Sequence, residues 1–285
     1  MITNASTSYT DRKKKMVEVF EDTLSIIEHT VKLQDAVKNS ILNQVFISNN
    51  DCVNCCPPHH IEEAQVIVSQ SRSFEAAAKY REQKVAVLNF ASATSPGGGV
   101  RSGAMAQEES LCRVSTLYPC LKDKLMWEKF YSPHRVSQDS LHNDDIIYTP
   151  NVVVIKDDDY NMLQSPFLVD IITCAAPNLR PNPSNGNACY SGDAVRIGRE
   201  DLLLLHERRA GKILSVAAQK KVEVLILGAF GCGAFRNDPN VVATAYHNKI
   251  PEFLNYFKII EFAIYCSPNN PQNLLAFREA FEPEL

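Results

Sequence analysis

The sequence predicts an α/β protein of three layers, α/β/α, with helices on both faces of a mixed, mostly parallel sheet and a helical extension at the N-terminus. Strand-forming and helix-forming segments alternate along most of the chain, which is typical of parallel sheets. Residues 152–155 and 222–227 are almost continuously apolar, as strands buried on both faces are. No linker or internal repeat interrupts the 285 residues. We therefore expect an extension over 1–60, packed as one unit with a main domain over 61–285.

The apolar spacing in the N-terminal extension predicts a helix over residues 10–40. Apolar residues recur in it at steps of three and four and so form one face. These residues are Val17, Phe20, Leu24, Ile27 and Val31. Residues 42–47 and 63–69 have the composition of strands.

The elements that follow are predicted from the same patterns. A short helix should be capped by Ser71 or Ser73, because a side-chain hydroxyl can bind the free N–H groups of a helix start. Its inner face should consist of Phe74, Ala77 and Ala78. After a strand over 85–88, helical spacing continues through residue 121 and should be broken by Pro119. The other predicted elements are helices over 122–131, 193–220 and 271–281, strands over 167–174 and 259–266, and loops over 137–148 and 178–192.

Composition limits the possible functions. The chain is 45% hydrophobic and 22% charged, with a formal net charge of -4, so it lacks the basic excess that binding of duplex nucleic acid requires. No apolar run is long enough to cross a membrane, and the N-terminus has no apolar signal segment. The nine cysteines, an odd number, favour free thiols in a reducing compartment over a disulfide framework. We expect a cytoplasmic monomer that does not bind membranes.

A cluster of cysteines and histidines contains residue types that bind zinc. Its members are Cys52, Cys55, Cys56, His59 and His60. No second ligand pair lies at the spacing of a zinc finger, and two prolines stiffen the link between the thiols and the imidazoles. We interpret the cluster as a turn with incidental thiols, and we expect neither a metal nor any other cofactor.

The first candidate site begins with a glycine triplet after a buried strand. The triplet is Gly97, Gly98 and Gly99. Glycine is a poor choice inside regular elements, but it suits a backbone that must come close to a ligand. Gln107, Glu108 and Glu109 follow at a predicted helix start. Two adjacent carboxylates supply what hydrolysis of a sugar bond needs, namely an acid and a charge that holds the substrate.

The second candidate site follows the strand over 222–227. Its loop contains Gly231, Cys232, Gly233, Ala234 and Phe235. Asp238 is a good N-cap and Pro239 suits the first helical position, so a helix should begin there. A strand, a glycine turn and a helix N-terminus together form an anion site, where N–H groups point at a phosphate.

These two motifs resemble those of a known family. The triplet followed by Gln-Glu-Glu is similar to the signature of the poly(ADP-ribose) glycohydrolases. The loop Gly-Cys-Gly-Ala-Phe is similar to the second phosphate-binding loop of the macrodomains, which are ADP-ribose-binding α/β/α folds, and in particular to its form in the glycohydrolases. The resemblance extends from about residue 69 to the C-terminus, and the compact size is that of the microbial (bacterial-type) branch. It implies a macrodomain-like catalytic domain over 61–285.

The resemblance also implies roles for individual residues. Glu109 would protonate the departing ribose oxygen and then assist attack by water, and Glu108 would hold a ribose hydroxyl. The implied ligand-binding residues are Asn89, Ser92, Gly97, Gly98, Gly99, Gln107, Gly231, Cys232, Gly233, Ala234 and Phe235. Ala176, Pro177 and Asn178 are a candidate slot for adenine.

Three functions remain open on the sequence. The first is cleavage of the O-glycosidic ribose–ribose bonds of poly(ADP-ribose) with release of ADP-ribose. The second is removal of single ADP-ribose units from modified proteins, for example at arginine. The third is a non-catalytic ADP-ribose reader, which the paired carboxylates argue against. The expected partners are ADP-ribose, poly(ADP-ribose) or an ADP-ribosylated protein.

Overall fold

The computed structural model describes residues 9–55, 57–58, 60–181, 195–267 and 269–282. Its helices are α1 (Tyr9–His29), α2 (Val31–Leu42), α3 (Ser73–Ala78), α4 (Gln107–Val114), α5 (Leu117–Leu121), α6 (Lys124–Met126), α7 (Ser132–Ser137), α8 (Arg199–Gln219), α9 (Pro239–Lys249) and α10 (Gln272–Phe281). Its strands are β1 (Val45–Ile47), β2 (Gln65–Ser69), β3 (Val85–Phe90), β4 (Ile146–Lys156), β5 (Met162–Cys174), β6 (Val224–Leu227) and β7 (Ile259–Ala263). Most of the predicted loop over 178–192 lies outside the described residues.

The strands form one seven-stranded sheet in the order β1-β4-β5-β3-β6-β7-β2. The neighbours from β5 to β2 pair in parallel, whereas β4 is antiparallel to both β1 and β5. The predicted mixed, mostly parallel sheet is confirmed. β3 lies at the centre, and β6 is its direct neighbour, so the loops after these two strands emerge side by side at one edge.

Alternating residues of β3 face two separate apolar cores. Ala86 and Leu88 belong to the core that includes Ile213 of α8 and Phe277 of α10. Val85 and Val87 belong to the opposite core, with residues of α1, α3 and α4. Helices therefore cover both faces of the sheet, which gives the three predicted layers.

The predicted N-terminal helix is divided at Thr30 into α1 and α2. Phe20 and Ile27 are buried as predicted, but Val31 is 69% exposed, so its assignment to the apolar face was wrong. The break at Thr30 changes the helix direction, and α2 no longer continues the face of α1. α1 is fixed instead by the buried Thr23, whose hydroxyl accepts a hydrogen bond from the ammonium of Lys156 at 2.8 Å. The boundary between an extension and a main domain stays a prediction.

Two predictions about α3, its cap and its inner face, were wrong. α3 begins after Arg72, whose N–H donates to the Glu75 carboxylate at 3.1 Å, so neither serine is the cap. Ala76 is buried in place of Ala78, because the helix starts at Ser73 and its inner face shifts accordingly.

The helical segment after Glu109 is broken before Pro119, not at it. Thr116 N donates to Val153 O of β4 at 3.0 Å, and this pairing ends α4. Pro119 then lies in the first turn of α5. N–H groups in a first turn have no acceptor within the helix, so the lack of one in proline costs no hydrogen bond there. The predicted helix over 122–131 is longer than expected. It runs from Lys124 to Ser137 through a π-helical turn, Trp127–Tyr131.

None of the helices in the described part of the chain is long and apolar enough to span a membrane.

Candidate active site

The glycine triplet forms a turn that excludes other residues at two positions. Gly97 and Gly98 have φ angles of +69° and +57°, which are costly for any residue with a Cβ atom. A Cβ on Gly97 would lie 2.7 Å from Cδ2 of Tyr118. A Cβ on Gly98 would overlap Glu109 Oε1 and lie 3.1 Å from Glu108 Oε2. The loop backbone therefore lies directly against both carboxylates.

Glu108 is buried at the end of β3, with 2% of its surface exposed. Its Oε2 accepts a hydrogen bond from Ser92 N at 2.8 Å, and its Oε1 accepts one from Asn89 Nδ2 at 3.3 Å. Burial, followed by the charge of Glu109, raises the pKa of Glu108 well above its ordinary value despite these bonds. Glu108 therefore holds a proton more readily than a solvated carboxyl group would.

The two carboxylate oxygens of Glu109 differ in their hydrogen bonding. Oε1 accepts a hydrogen bond from Gly99 N at 2.8 Å. Oε2 is buried and has no hydrogen-bond partner among the described residues. Leaving a buried carboxylate oxygen unpaired is costly. Oε2 is therefore the candidate atom of this site for contact with a substrate.

Gln107 and Asn89 fix the acid pair to the sheet. Gln107 Nε2 donates to Leu88 O at 2.8 Å, and its Oε1 accepts from Phe90 N at 2.9 Å, so the amide is bound to the end of β3. Asn89 donates from the same Nδ2 to Glu108 and to Thr173 Oγ1 of β5, at 3.2 Å. These contacts favour a positioning role for Gln107, whose predicted ligand contact stays untested.

The second loop is compact at its base and open at its tip. Gly231 has φ of +79°, and a Cβ there would lie 2.6 Å from both Ala176 Cβ and Asn237 Nδ2. Gly233 and Ala234 are exposed, and a Cβ on Gly233 would meet no atom within 4 Å. The loop thus presents its tip to solvent, and its parent strand β6 is the neighbour of β3, which leads to the glycine triplet. Cys232 and Phe235 are partly buried behind it.

Asn237 holds this loop together, and sequence reasoning missed it. Its Nδ2 donates to Pro177 O at 2.7 Å and to Gly231 O at 3.0 Å, and its Oδ1 accepts from His206 Nε2 at 2.9 Å. Burial lowers the pKa of His206 to about 4, so the imidazole is neutral and can donate from Nε2. The sequence gives little warning of this role, because asparagine is common in any polar loop before a helix.

The predicted start of the helix after this loop is correct. Asp238 caps α9, with its Oδ1 accepting from Asn240 N at 2.9 Å, and Pro239 is the first helical residue. The N-terminus of α9 therefore lies next to the second loop, where a helix dipole favours an anion.

An exposed aromatic residue lies at the same edge of the sheet. Tyr265 follows β7 and is 64% exposed, and the guanidinium carbon of Arg72 lies 4.4 Å from its ring centre. Arg72 follows β2, the strand next to β7. By contrast, the candidate adenine slot around Asn178 is buried and presents no open apolar face to a base.

The cysteine and histidine cluster does not form a metal site in the described residues. No group of three His, Cys, Asp or Glu side chains there is placed to hold a metal ion. Cys52 is exposed, and the Cys55 thiol donates to Ser215 O at 3.8 Å. Cys56 and His59 lie outside the described residues.

Comparison with known proteins places the chain in a family. A family model described as microbial-type PARG, catalytic domain, matches residues 9–157, which is more than half of the sequence. The chain belongs to the microbial-type poly(ADP-ribose) glycohydrolase (PARG) family. Among curated protein sequences, none matches it.

Solved structures of microbial PARG proteins share the fold. The poly(ADP-ribose) glycohydrolase of Thermomonospora curvata is 28% identical, with a TM-score of 0.81, and the match covers 94% of this chain and 100% of that one. The same protein bound to the inhibitor ADP-HPD gives a TM-score of 0.77 at 28% identity, with the same coverage. The Deinococcus radiodurans enzyme in complex with ADP-ribose is 32% identical, with a TM-score of 0.73, over 86% of this chain and 96% of that one. The predicted family and the predicted macrodomain-like fold are confirmed.

Proposed function

We propose that this chain hydrolyses the O-glycosidic ribose–ribose bonds of poly(ADP-ribose) and releases ADP-ribose. Membership of the microbial PARG family supports this reaction, as does the structural match to an enzyme in complex with ADP-ribose. The observation that carries the proposal is Glu109. Its Oε2 is buried and has no hydrogen-bond partner among the described residues, and its carboxyl group lies beside Glu108 and against the glycine triplet.

Each carboxylate has a distinct task in this mechanism. Glu109 Oε2 gives a proton to the departing ribose oxygen as the glycosidic bond breaks, and it then accepts a proton from the water that attacks the anomeric carbon. The bond from Gly99 N holds the other oxygen and so fixes the direction of Oε2. Glu108, held by Asn89 and Ser92, binds a hydroxyl of the same ribose and orients the ring.

The two loops bind the rest of the ligand. Backbone N–H groups of the second loop bind the diphosphate, aided by the N-terminus of α9. In the triplet, the N–H groups of Gly98 and Gly99 are bonded to Ser95 O and Glu109 Oε1, so its task is to let the ligand come close to the acid pair. The Tyr265 ring, beneath Arg72, provides a stacking surface for the adenine at the far end of the ligand. No step in this scheme uses a metal.

The test compares two substrates and two variants. Release of ADP-ribose is measured from auto-modified poly(ADP-ribosyl)ated protein and from protein with single ADP-ribose units on arginine. Glu109→Gln should lose at least about a hundredfold of the polymer activity, the contribution expected of a general acid, and should keep its affinity for ADP-ribose. Glu82→Gln is the matched control, because the Glu82 side chain is 93% exposed.

The outcomes separate the three functions. Polymer cleavage that only Glu109→Gln loses supports the proposal. Cleavage of single units alone would assign the enzyme to reversal of mono-ADP-ribosylation with the same acid. Tight ADP-ribose binding without release from either substrate would identify a reader and exclude the proposed mechanism.

A further inference from the structure

The helical run from Lys124 to Ser137 packs against the segments that follow β3 and β5. Tyr131 is fully buried in this run and packs with Ala93 and Ala175, which follow β3 and β5. Ala93 directly follows Ser92, whose N–H donates to the Glu108 carboxylate, so Tyr131 packs next to the segment that holds this carboxylate. The run therefore lies beside the acid pair.

Trp127 and Arg135 form the solvent-accessible side of this run next to Tyr131. The Trp127 ring stacks on Tyr131, with 6.3 Å between ring centres and 25° between planes, and is 40% exposed. The guanidinium carbon of Arg135 lies 5.5 Å from the centre of the Trp127 ring. Arg135 Nη1 also donates to Thr94 O at 3.2 Å. Thr94 is two residues from Ser92, which holds Glu108, so the exposed indole is connected to the proposed catalytic centre by short contacts.

The helical run from Lys124 to Ser137 has a positive formal net charge, whereas the net charge of the whole chain is negative. The run contains three cations, Lys124, Lys129 and Arg135, and one carboxylate, Glu128, whereas the chain as a whole has a net charge of -4. The Lys124 and Lys129 side chains are exposed. An aromatic surface among cations is what nucleotide strands bind, because bases stack on the ring and phosphates pair with the charges.

The local backbone has an unusual form at the same place. Trp127–Tyr131 is a π-helical turn. Such turns frequently occur at functional sites, because the extra residue in the turn changes the direction of the side chains. Here Trp127, the first residue of the turn, is in contact with both Tyr131 and Arg135.

We propose that Trp127 and Arg135 bind the adenine and diphosphate of the ADP-ribose unit on the leaving side of the scissile bond. This inference rests on the proposed polymer hydrolysis and names a second subsite for that substrate. The stacked aromatic ring and the cations of this surface match a purine and a diphosphate, so we expect it to bind a nucleotide more tightly than a peptide. The subsite would increase cleavage of polymer relative to substrates with a small leaving group.

The experiment measures kcat/KM on two substrates. One is poly(ADP-ribose), and the other is ADP-ribose with nitrophenol at the anomeric carbon, which has no second adenine or diphosphate. Trp127→Ala should lower kcat/KM for polymer about tenfold, through KM, as loss of one base-stacking contact does. It should leave the nitrophenol substrate and the affinity for ADP-ribose within about twofold. Trp127→Phe should restore most of the polymer activity, because it keeps an aromatic ring.

Leu125→Ala is the matched control. Leu125 is 47% exposed on the same helical run and is aliphatic, so its loss should change neither substrate. Thermal unfolding of every variant separates loss of folding from loss of binding, and Trp127→Phe keeps the inference testable where Trp127→Ala does not fold.

Two results would overturn the inference. One is unchanged polymer cleavage by Trp127→Ala, and the other is an equal loss on both substrates, which would mean that Trp127 only supports the fold. A loss confined to ADP-ribosylated protein would also overturn it, in favour of a protein-binding surface. Failure of the proposed function would look different, because the wild-type enzyme would then leave the polymer intact.

Discussion

Gly99 N donates a hydrogen bond to Glu109 Oε1 at 2.8 Å, and this bond connects the glycine loop to the proposed catalytic residue. The loop therefore orients the acid, in addition to the ligand contact proposed for it. Changes in the loop backbone should reduce the rate even where no ligand contact is lost.

Gly98→Ala should show this effect. The new Cβ would overlap Glu109 Oε1, and φ of +57° strains any residue other than glycine. We expect kcat/KM to fall by about a hundredfold or more, since a displacement of about 1 Å has that effect on an aligned group. Gly211→Ala in α8 is the control, where the nearest atom to a new Cβ is the flexible end of Lys249 at 3.3 Å. Normal kinetics of Gly98→Ala would contradict the orienting role.

Glu108→Gln should make the protein more stable and less active. Because the pKa of Glu108 is raised above the ordinary 4.5, the folded state binds more protons than the unfolded state, so the free energy of unfolding falls as pH rises above that value. Glutamine removes the buried charge and keeps an oxygen that can accept from Ser92 N. At pH 8 we expect a gain of about 1–3 kcal/mol in urea unfolding, and a smaller gain at pH 5. A variant that is less stable than wild type at pH 8 would refute the assignment.

Asn237→Ala should weaken both folding and ligand binding. It removes the partners of His206 Nε2, Pro177 O and Gly231 O in a buried place. We expect a loss of about 2–4 kcal/mol in the free energy of unfolding and a lower affinity for ADP-ribose in calorimetry. Asn240→Ala, three residues away and exposed, is the control. Full affinity in Asn237→Ala would show that the loop keeps its shape without this amide.

Phe20→Ala tests the link between the N-terminal helix and the site. The Phe20 ring is 2% exposed and lies 4.8 Å, centre to centre, from Tyr118, which contacts Gly97. We expect a loss of about 3–5 kcal/mol in stability and a lower kcat/KM in the molecules that stay folded. Val31→Ala, at a position 69% exposed, should change stability by less than about 0.5 kcal/mol. Unchanged kinetics in folded Phe20→Ala would separate α1 from catalysis.

Local patterns were sufficient for the parts of the fold that depend on neighbouring residues. Asp238 and Pro239 start α9 as predicted, because capping involves only the next few residues. The glycine triplet and the acid pair also lie close along the chain, so their proximity in space follows from one loop and one helix start.

Contacts between distant segments were not predictable from the same patterns. Pro119 does not end α4, because α4 already ends before Thr116, whose N–H pairs with Val153 O of β4. Asn237 binds Pro177 O across the sheet edge, and no spacing rule relates the two positions. Trp127 and Arg135 were assigned to no site, because only the folded run shows the indole in contact with the guanidinium.

The position of the two glycine loops after neighbouring strands has a further consequence. β3 and β6 are hydrogen-bonded to each other, so the strands that lead to the two loops lie about 4.8 Å apart, the spacing of paired strands. The proposed diphosphate site is thus assembled by the sheet before any ligand arrives, and its formation needs no closure of a domain. Binding should therefore cost little conformational entropy, and the association rate should be close to that of a rigid, open cleft.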